Sequence, residues 1–268
     1  MYSSNVAYWK SRDGRDYRSV QEMRSSRGAG EYSSQMNWLR SYLEGRVARS
    51  PEQEIRLIDF GWGFGRVAHL CESIPSVRYN GFDFSETMVQ SLMEEPPPSL
   101  RPQISNHVRV GDRVTDAFTG QSFDVALVIS VLIHNDEAAA QSIIDDLVTL
   151  LAPGGEIILI ENALVSKTAF VNQWHGGCWM HDFASYAKDR LSISIDTTSL
   201  PGHGIYRLWK PDEAPLLEIA SNGTTKCYAD LEQLHAEAAL PPAFQDLEFE
   251  HSMMVAEILD LRERAAAD

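Results

Sequence analysis

The sequence predicts an α/β fold, a doubly wound and mostly parallel sheet with helices on both faces. From Ile55 to Glu161, short apolar runs alternate with amphipathic stretches, the pattern of a sheet buried on both sides. Asp59, Gly61, Gly63 and Gly65 follow the first run at strict two-residue spacing in LIDFGWGFGR. Glycines at the carboxyl end of a strand let backbone pass close to a ligand that any side chain would strike. At 268 residues the chain suits one such core with added elements better than two full domains.

The elements read in order as follows. Residues 1–53 form an N-terminal helical cap, with one helix around Val20 to Arg24 and a better one from Tyr32 to Leu43, where Met36, Leu39, Tyr42 and Leu43 share a face. Residues 54–268 form the main domain. Its first strand carries Asp59, its second, VRYNGFDF, ends on Asp83, and its third, HVRVGD, ends on Asp112. Between the second and third, Glu94 to Pro102 is a loop, since it holds three consecutive prolines. The fourth strand lies in FDVALVISVLIH. Glu137 to Leu151 is the clearest helix, with Ile143, Ile144, Leu147, Val148 and Leu151 at helical spacing. LLAPGGEIILIE then reads as a helix end, a Pro-Gly-Gly turn and a fifth buried strand. Residues 162–226 break the rhythm and read as a substrate-binding insert or lid, with a helix-like stretch at Asp182 to Arg190 and strands at Leu191 to Asp196 and Ile205 to Lys210. Asp230 to Ala239 reads as a helix. Phe244 to Ile258 reads as one or two closing strands, although Met253 to Arg264 fits a helix equally.

The glycine spacing separates two kinds of nucleotide site. A dinucleotide-binding turn, Gly-x-Gly-x-x-Gly, would need glycine at position 66, which holds Arg. The acid-x-Gly-x-Gly-x-Gly form resembles instead the first motif of the Rossmann-like (class I) S-adenosylmethionine-dependent methyltransferases, and the downstream segments follow in family order over residues 55–162. The resemblance implies a seven-stranded sheet, S-adenosylmethionine as cofactor, and transfer of its methyl group. It implies that Asp83, with Phe84 after it, holds the ribose, and that Asp112, with Arg113 beside it, meets the adenine amine. By the same resemblance Asp59, Gly61, Gly63 and Gly65 form the loop at the methionine half, and Ser130 and Val131 sit below the sulfonium. Trp62 departs from the pattern, which usually has a small residue there; it either narrows the donor pocket or turns away from it.

Composition bounds the partners. Thirty-eight acids against 23 bases give a formal net charge of −15, which disfavours nucleic acid, since phosphate binding depends on clustered Lys and Arg. Cys71, Cys178 and Cys227 are too few and scattered for a disulfide framework and suit a reducing cytoplasm. No membrane span or signal peptide is legible, so a cytoplasmic protein with no membrane partner is expected.

Acceptor chemistry is expected over the carboxyl ends of the fourth and fifth strands. His134, directly after the fourth strand, is the candidate general base, with Asn135 beside it for substrate; the alternative is that His134 bonds a loop and Asn135 or Asp136 caps the next helix. Glu161 as a catalytic carboxylate and Asn162 as a substrate contact end the fifth strand, against the alternative of loop hydrogen bonding. In WHGGCWMHDF, Trp174 and Trp179 wall an apolar acceptor pocket, with His175 or His181 reaching inward, or else pack the insert onto the sheet. The His and Cys of that stretch have metal-ligand spacing but no second cluster, so no metal is expected. Tyr8, Trp9 and Tyr17 are candidates to touch ligand from the cap. The expected function is methyl transfer to an oxygen or nitrogen of a small molecule. The alternatives are methylation of a peptide or protein nitrogen, or a non-catalytic protein that binds S-adenosylmethionine.

Overall fold

The computed structural model describes residues 10, 30–63, 65–94, 96, 98–100, 104–171, 178–200, 203–221 and 224–237. Alternation of apolar residues builds the strands β1 (Ile55–Phe60), β2 (Val77–Asp83), β3 (Val108–Val110), β4 (Phe123–Ile129) and β5 (Leu151–Asn162). After them come β6 (Ala169–Val171), β7 (Cys178–Met180), β8 (Ser192–Asp196), β9 (His203–Trp209), β10 (Leu217–Ser221) and β11 (Thr224–Cys227). Nine of these form one sheet in the order β11-β10-β8-β9-β5-β4-β1-β2-β3, and β6 and β7 pair as a separate antiparallel hairpin. The first five strands are parallel, while β9 runs antiparallel between β5 and β8. Strand order reverses around β1 and β4, which opens a crevice at their carboxyl ends.

The helices are α1 (Gly30–Arg49), α2 (Arg66–Cys71), α3 (Glu86–Glu94), α4 (Ile104–His107), α5 (Val114–Ala117), α6 (Glu137–Thr149), α7 (Phe183–Ala187) and α8 (Leu231–Glu237). Successive strand residues serve opposite layers. Ile58, Phe60, Ala126, Val128, Ile157 and Leu159 pack with Ile143, Ile144 and Leu147 of α6 and Phe183 of α7. Leu57, Val125, Leu127, Ile158 and Ile160 pack with Leu39 and Leu43 of α1 and with Val67 and Ala68 of α2. Each large side chain so buried contributes about 1.5–3 kcal/mol, so both layers are needed to close the sheet. Asp136 ends the chain's exit from β4 by accepting from Ala139 N at 2.8 Å, which caps α6.

A buried ion cluster fastens α1 to the sheet. Glu156 of β5 accepts from the Tyr42 hydroxyl at 2.7 Å and from Arg207 Nε at 2.7 Å, and it also pairs with Arg46. These partners outweigh burial and hold its carboxyl below the usual range.

Three expectations change. The sheet has nine strands rather than seven, because β10 and β11 extend it past β8. Residues 162–226 are not one insert: β8 to β11 pair into the sheet, and the stretch before them carries the β6–β7 hairpin and α7. Pro153 and Gly154 do not end a helix before a separate strand. Leu151 already pairs with Phe123, and Glu156 pairs with Val125, so the exposed Pro-Gly forms a bulge in β5 with Gly154 at φ 71°. The expected helix at 20–24 and the segment 244–264 lie outside the described residues.

Glu156→Gln keeps shape but removes the charge shared by two arginines. We expect a loss of about 1–3 kcal/mol in urea unfolding at neutral pH. Because the folded-state carboxyl is depressed, this contribution is present above the unfolded-state value and disappears as pH falls through the folded one, so parent and variant should converge in acid.

Candidate functional site

The glycine loop leaves β1 in a left-handed path. Gly61, Gly63 and Gly65 have φ of 72°, 55° and 83°, a region that costs other residues energy, and Gly65 starts α2. Gly61 N donates to Phe82 O at 2.8 Å, which ties the loop to β2. A Cβ on Gly61 would stand 2.5 Å from Val131 Cγ2, so this glycine is required by space as well as by φ.

Two buried carboxylates flank the loop. Asp83, the last residue of β2, accepts from Ser85 N at 2.9 Å and Gly63 N at 3.3 Å. Burial outweighs those bonds and pushes its carboxyl up to about 6. Asp59 accepts from the Tyr79 hydroxyl at 2.9 Å, and burial pushes it up to about 7. Phe84 continues past Asp83 into an aromatic cluster, edge-on to Phe60 and Phe82. Asp112 stands just beyond β3 with its side chain 91% exposed, in an ion pair with Lys10 at 3.1 Å. The guanidinium of Arg113 pairs with Asp146 of α6, which ties the residue before α5 to that helix. Trp62 turns away from the loop: it is 4% exposed and packed in the α1 layer.

The turn after β4 is the other half of the site. Ser130 has φ 54°, a strained backbone for a residue with a side chain, of order 1–3 kcal/mol, and it persists only where neighbours fix it. They do. Ser130 N donates to Ile160 O at 3.0 Å, and Glu161 Oε1 accepts from Val131 N at 2.8 Å and Leu132 N at 3.0 Å, while Oε2 accepts from Ile133 N at 3.4 Å. Glu161 is 0% exposed, and burial lifts its carboxyl to about 7 despite these amides. Its oxygens therefore shape the turn after β4.

Three further residues expected at the acceptor also turn inward. Asn135 Nδ2 donates to Val131 O at 2.8 Å. Asn162 Oδ1 accepts from His181 N at 3.0 Å, and its amide donates to Ala163 O at 2.7 Å. His181 is fully buried; its Nε2 lies 2.9 Å from Leu132 O, which can only accept, so Nε2 carries the proton and Nδ1 accepts from the Tyr186 hydroxyl at 2.8 Å. Burial holds this ring below its usual proton affinity. Its bond to Leu132 draws the β6–β7 hairpin onto the 3₁₀ turn of Leu132–His134. Trp179 on that hairpin stacks near Phe170, ring centroids 5.2 Å apart. His134 ends the turn, half-buried, with its N–H donated to Val131 O. Tyr8, Trp9, Tyr17, Trp174 and His175 lie outside the described residues. Among those described, no group of three His, Cys, Asp or Glu is placed to hold a metal ion.

Tyr79 is the residue that motif reading missed. Its signal was available: Tyr79 and Gly81 share a face of β2, and Gly81 is the register partner of Asp59.

This arrangement is a Rossmann-like nucleotide site at the switch point of a parallel sheet. The family model of the methyltransferase domain matches residues 57–155, which carry the glycine loop, Asp83 and the turn after β4. Over residues 57–155 the chain is thus similar to a methyltransferase domain, the kind of domain that takes S-adenosylmethionine. The residues fit that group: a loop of three glycines at positive φ, and buried acids at the ends of β1 and β2. Among solved structures, the DhpI–SAH complex is 12% identical, with 78% of this chain and 97% of that one covered at a TM-score of 0.49. The PH0226 protein of Pyrococcus horikoshii OT3 is 18% identical over 68% and 92%, also at 0.49. Magnesium protoporphyrin IX methyltransferase of Synechocystis PCC 6803 with bound SAM is 18% identical over 66% and 81%, at 0.46. No curated protein matches the chain significantly. No helix among the described residues is long and apolar enough to cross a membrane.

Asp83→Ala should weaken S-adenosylmethionine binding by about 1.5–3 kcal/mol in calorimetry with the fold intact, and unchanged affinity would remove Asp83 from the donor site. With its carboxyl at about 6, the parent's affinity should fall roughly tenfold per pH unit below that point, a slope absent from Asp83→Asn. Gly63→Val should abolish binding, since a branched side chain cannot adopt φ 55° without strain and fills the loop's open side.

Proposed function

We propose that this enzyme methylates an oxygen or nitrogen of a small molecule with an apolar, aromatic-compatible body, and that His134 removes the acceptor's proton. When bound, S-adenosylmethionine supplies a methyl group already activated on a sulfonium, so the protein's share is alignment, dehydration and proton removal. Asp83 binds the ribose hydroxyls, and the Gly61–Gly65 loop and the Ser130–Val131 turn flank the methionine half. Asp112 serves the adenine amine.

The observation that carries the acceptor reading is the division of labour after β4 and β5. Glu161, Asn162, Asn135 and His181 are buried and spent on backbone groups. His134 ends the turn with its backbone N–H donated to Val131 O and is half-buried near the strand ends. Beside it stands the hairpin with Trp179 and with Phe170, whose side is 52% exposed. An exposed aromatic next to an intermediate one supports an apolar acceptor wall. The net charge of −15 favours a neutral or cationic acceptor over an anionic one. A cytoplasmic site of action is consistent with the three scattered cysteines, each of which is free.

His134→Ala should lower turnover about 100-fold with donor affinity unchanged, and the parent's acidic limb in a pH–rate profile should vanish in the variant. An acidic limb that persists unchanged assigns it to another group. Full activity in the variant would leave positioning as the whole mechanism. The acceptor is to be sought by incubating the enzyme and methyl-labelled donor with panels of aromatic amines and phenols, with peptides as the competing class.

A further inference from the structure

We propose that Tyr79 is a positioning residue for the donor, holding Asp59 ionised and oriented toward the ammonium of the donor's methionine half. The proposal rests on the donor-site reading above and goes beyond it by assigning a residue outside the glycine motif.

The geometry is built from four residues. Asp59 of β1 pairs in register with Gly81 of β2, and Tyr79 is two residues before Gly81, so all three share the sheet face toward α1. The tyrosine ring reaches diagonally across Gly81 to put its hydroxyl 2.9 Å from Asp59 Oδ2. Gly81 permits this: a Cβ there would stand 3.0 Å from the Tyr79 hydroxyl and 3.3 Å from its ring. The same Cβ would be 3.4 Å from Trp62 Cγ, so Trp62 closes over the pair from the loop side. Trp62, Tyr79 and Asp59 are all buried. The unusual tryptophan of the glycine loop therefore walls the tyrosine–carboxylate bond away from water.

Such a bond is chosen for its acceptor. A phenol can donate to a carboxylate and stabilise its anion, and the tyrosine itself is driven well above its ordinary proton affinity by burial and by Asp59, so it stays a donor. The groups that face Asp59 are Tyr79 and Asp83 on β2 and Arg66 and Cys71 on α2. Tyr79 and Arg66 favour the anion; burial and Asp83 oppose it, and the balance lies at about 7. Near neutral pH the charge on Asp59 is thus poised, and the tyrosine bond is the largest of the terms that keep it. The donor carries one fixed ammonium beside its own carboxylate, and a buried anion at the glycine loop is its complement.

Tyr79→Phe tests this by calorimetry with two ligands, S-adenosylhomocysteine, which has the ammonium, and 5′-methylthioadenosine, which lacks the whole amino-acid portion. We expect affinity for S-adenosylhomocysteine to fall about 5- to 20-fold at pH 7.5, affinity for methylthioadenosine to stay within twofold, and the pH at which S-adenosylhomocysteine binding half-develops to move upward. In an Asp59→Asn background the same substitution should have no further effect on S-adenosylhomocysteine. Equal losses for both ligands, or a loss with no pH displacement, would overturn the proposal and make Tyr79 a packing residue. If Tyr79→Phe does not fold, Asp59→Asn alone decides: it must weaken S-adenosylhomocysteine while sparing methylthioadenosine. A parent that binds neither ligand would overturn the donor-site reading itself, an outcome distinct from a selective result in the variants.

Discussion

The turn after β4 depends on one buried carboxylate that accepts its backbone amides. Glu161, at the end of β5, accepts three consecutive backbone amides of the turn after β4. Those bonds hold Ser130 in its left-handed conformation and fix Val131, whose side chain fills the space where Gly61 lacks a Cβ. The turn after β4 and the glycine loop are thereby set against each other by the approach of Val131 to Gly61. His181 and Asn135 bind the carbonyls of the same turn from other sides. Glu161, His181 and Asn135 thus frame the turn, and this is how strained backbone persists.

The frame has an electrostatic cost. Asp59, Asp83 and Glu161 are all buried, and each is pushed up toward neutrality by loss of solvent. A carboxyl raised on folding stabilises the fold below its unfolded-state value, and that contribution is lost as pH rises through about 6 to 7. Glu156 behaves in the opposite sense, because Arg46, Arg207 and Tyr42 surround it at the other end of β5. One strand therefore carries a satisfied charge that fastens α1 and a costly one that shapes the site. A ligand bonded to either aspartate would favour its charged form, so binding and ionisation would be linked.

Much of this was legible in the chain. Asp59, Gly61, Gly63 and Gly65 fall at a spacing that points to a tight left-handed turn, and the three glycines have positive φ. The parallel core followed from runs such as VALVI, because a strand buried on both faces has no polar positions. What was not legible depends on contacts distant in sequence. Whether Glu161 met substrate or backbone depended on a turn 30 residues earlier, and Trp62 could be placed only once Gly81 and Tyr79 lay beneath it. Residues 192–227 were grouped with the insert because antiparallel pairing with β5 leaves no signature in the periodicity of β8 and β9 themselves. His134 and Asp112 keep the roles assigned to them as proposals, and the ion pair of Arg113 with Asp146 could not be read from the sequence.

The most direct test of the account is a crystal structure of the protein with S-adenosylhomocysteine. It should show the ribose hydroxyls on the Asp83 carboxylate, the amino-acid portion along the Gly61–Gly65 loop, and the sulfur directed over Ser130 and Val131 toward the open side of His134. The product bound away from Asp83, or with its sulfur turned from the turn after β4, would contradict the account.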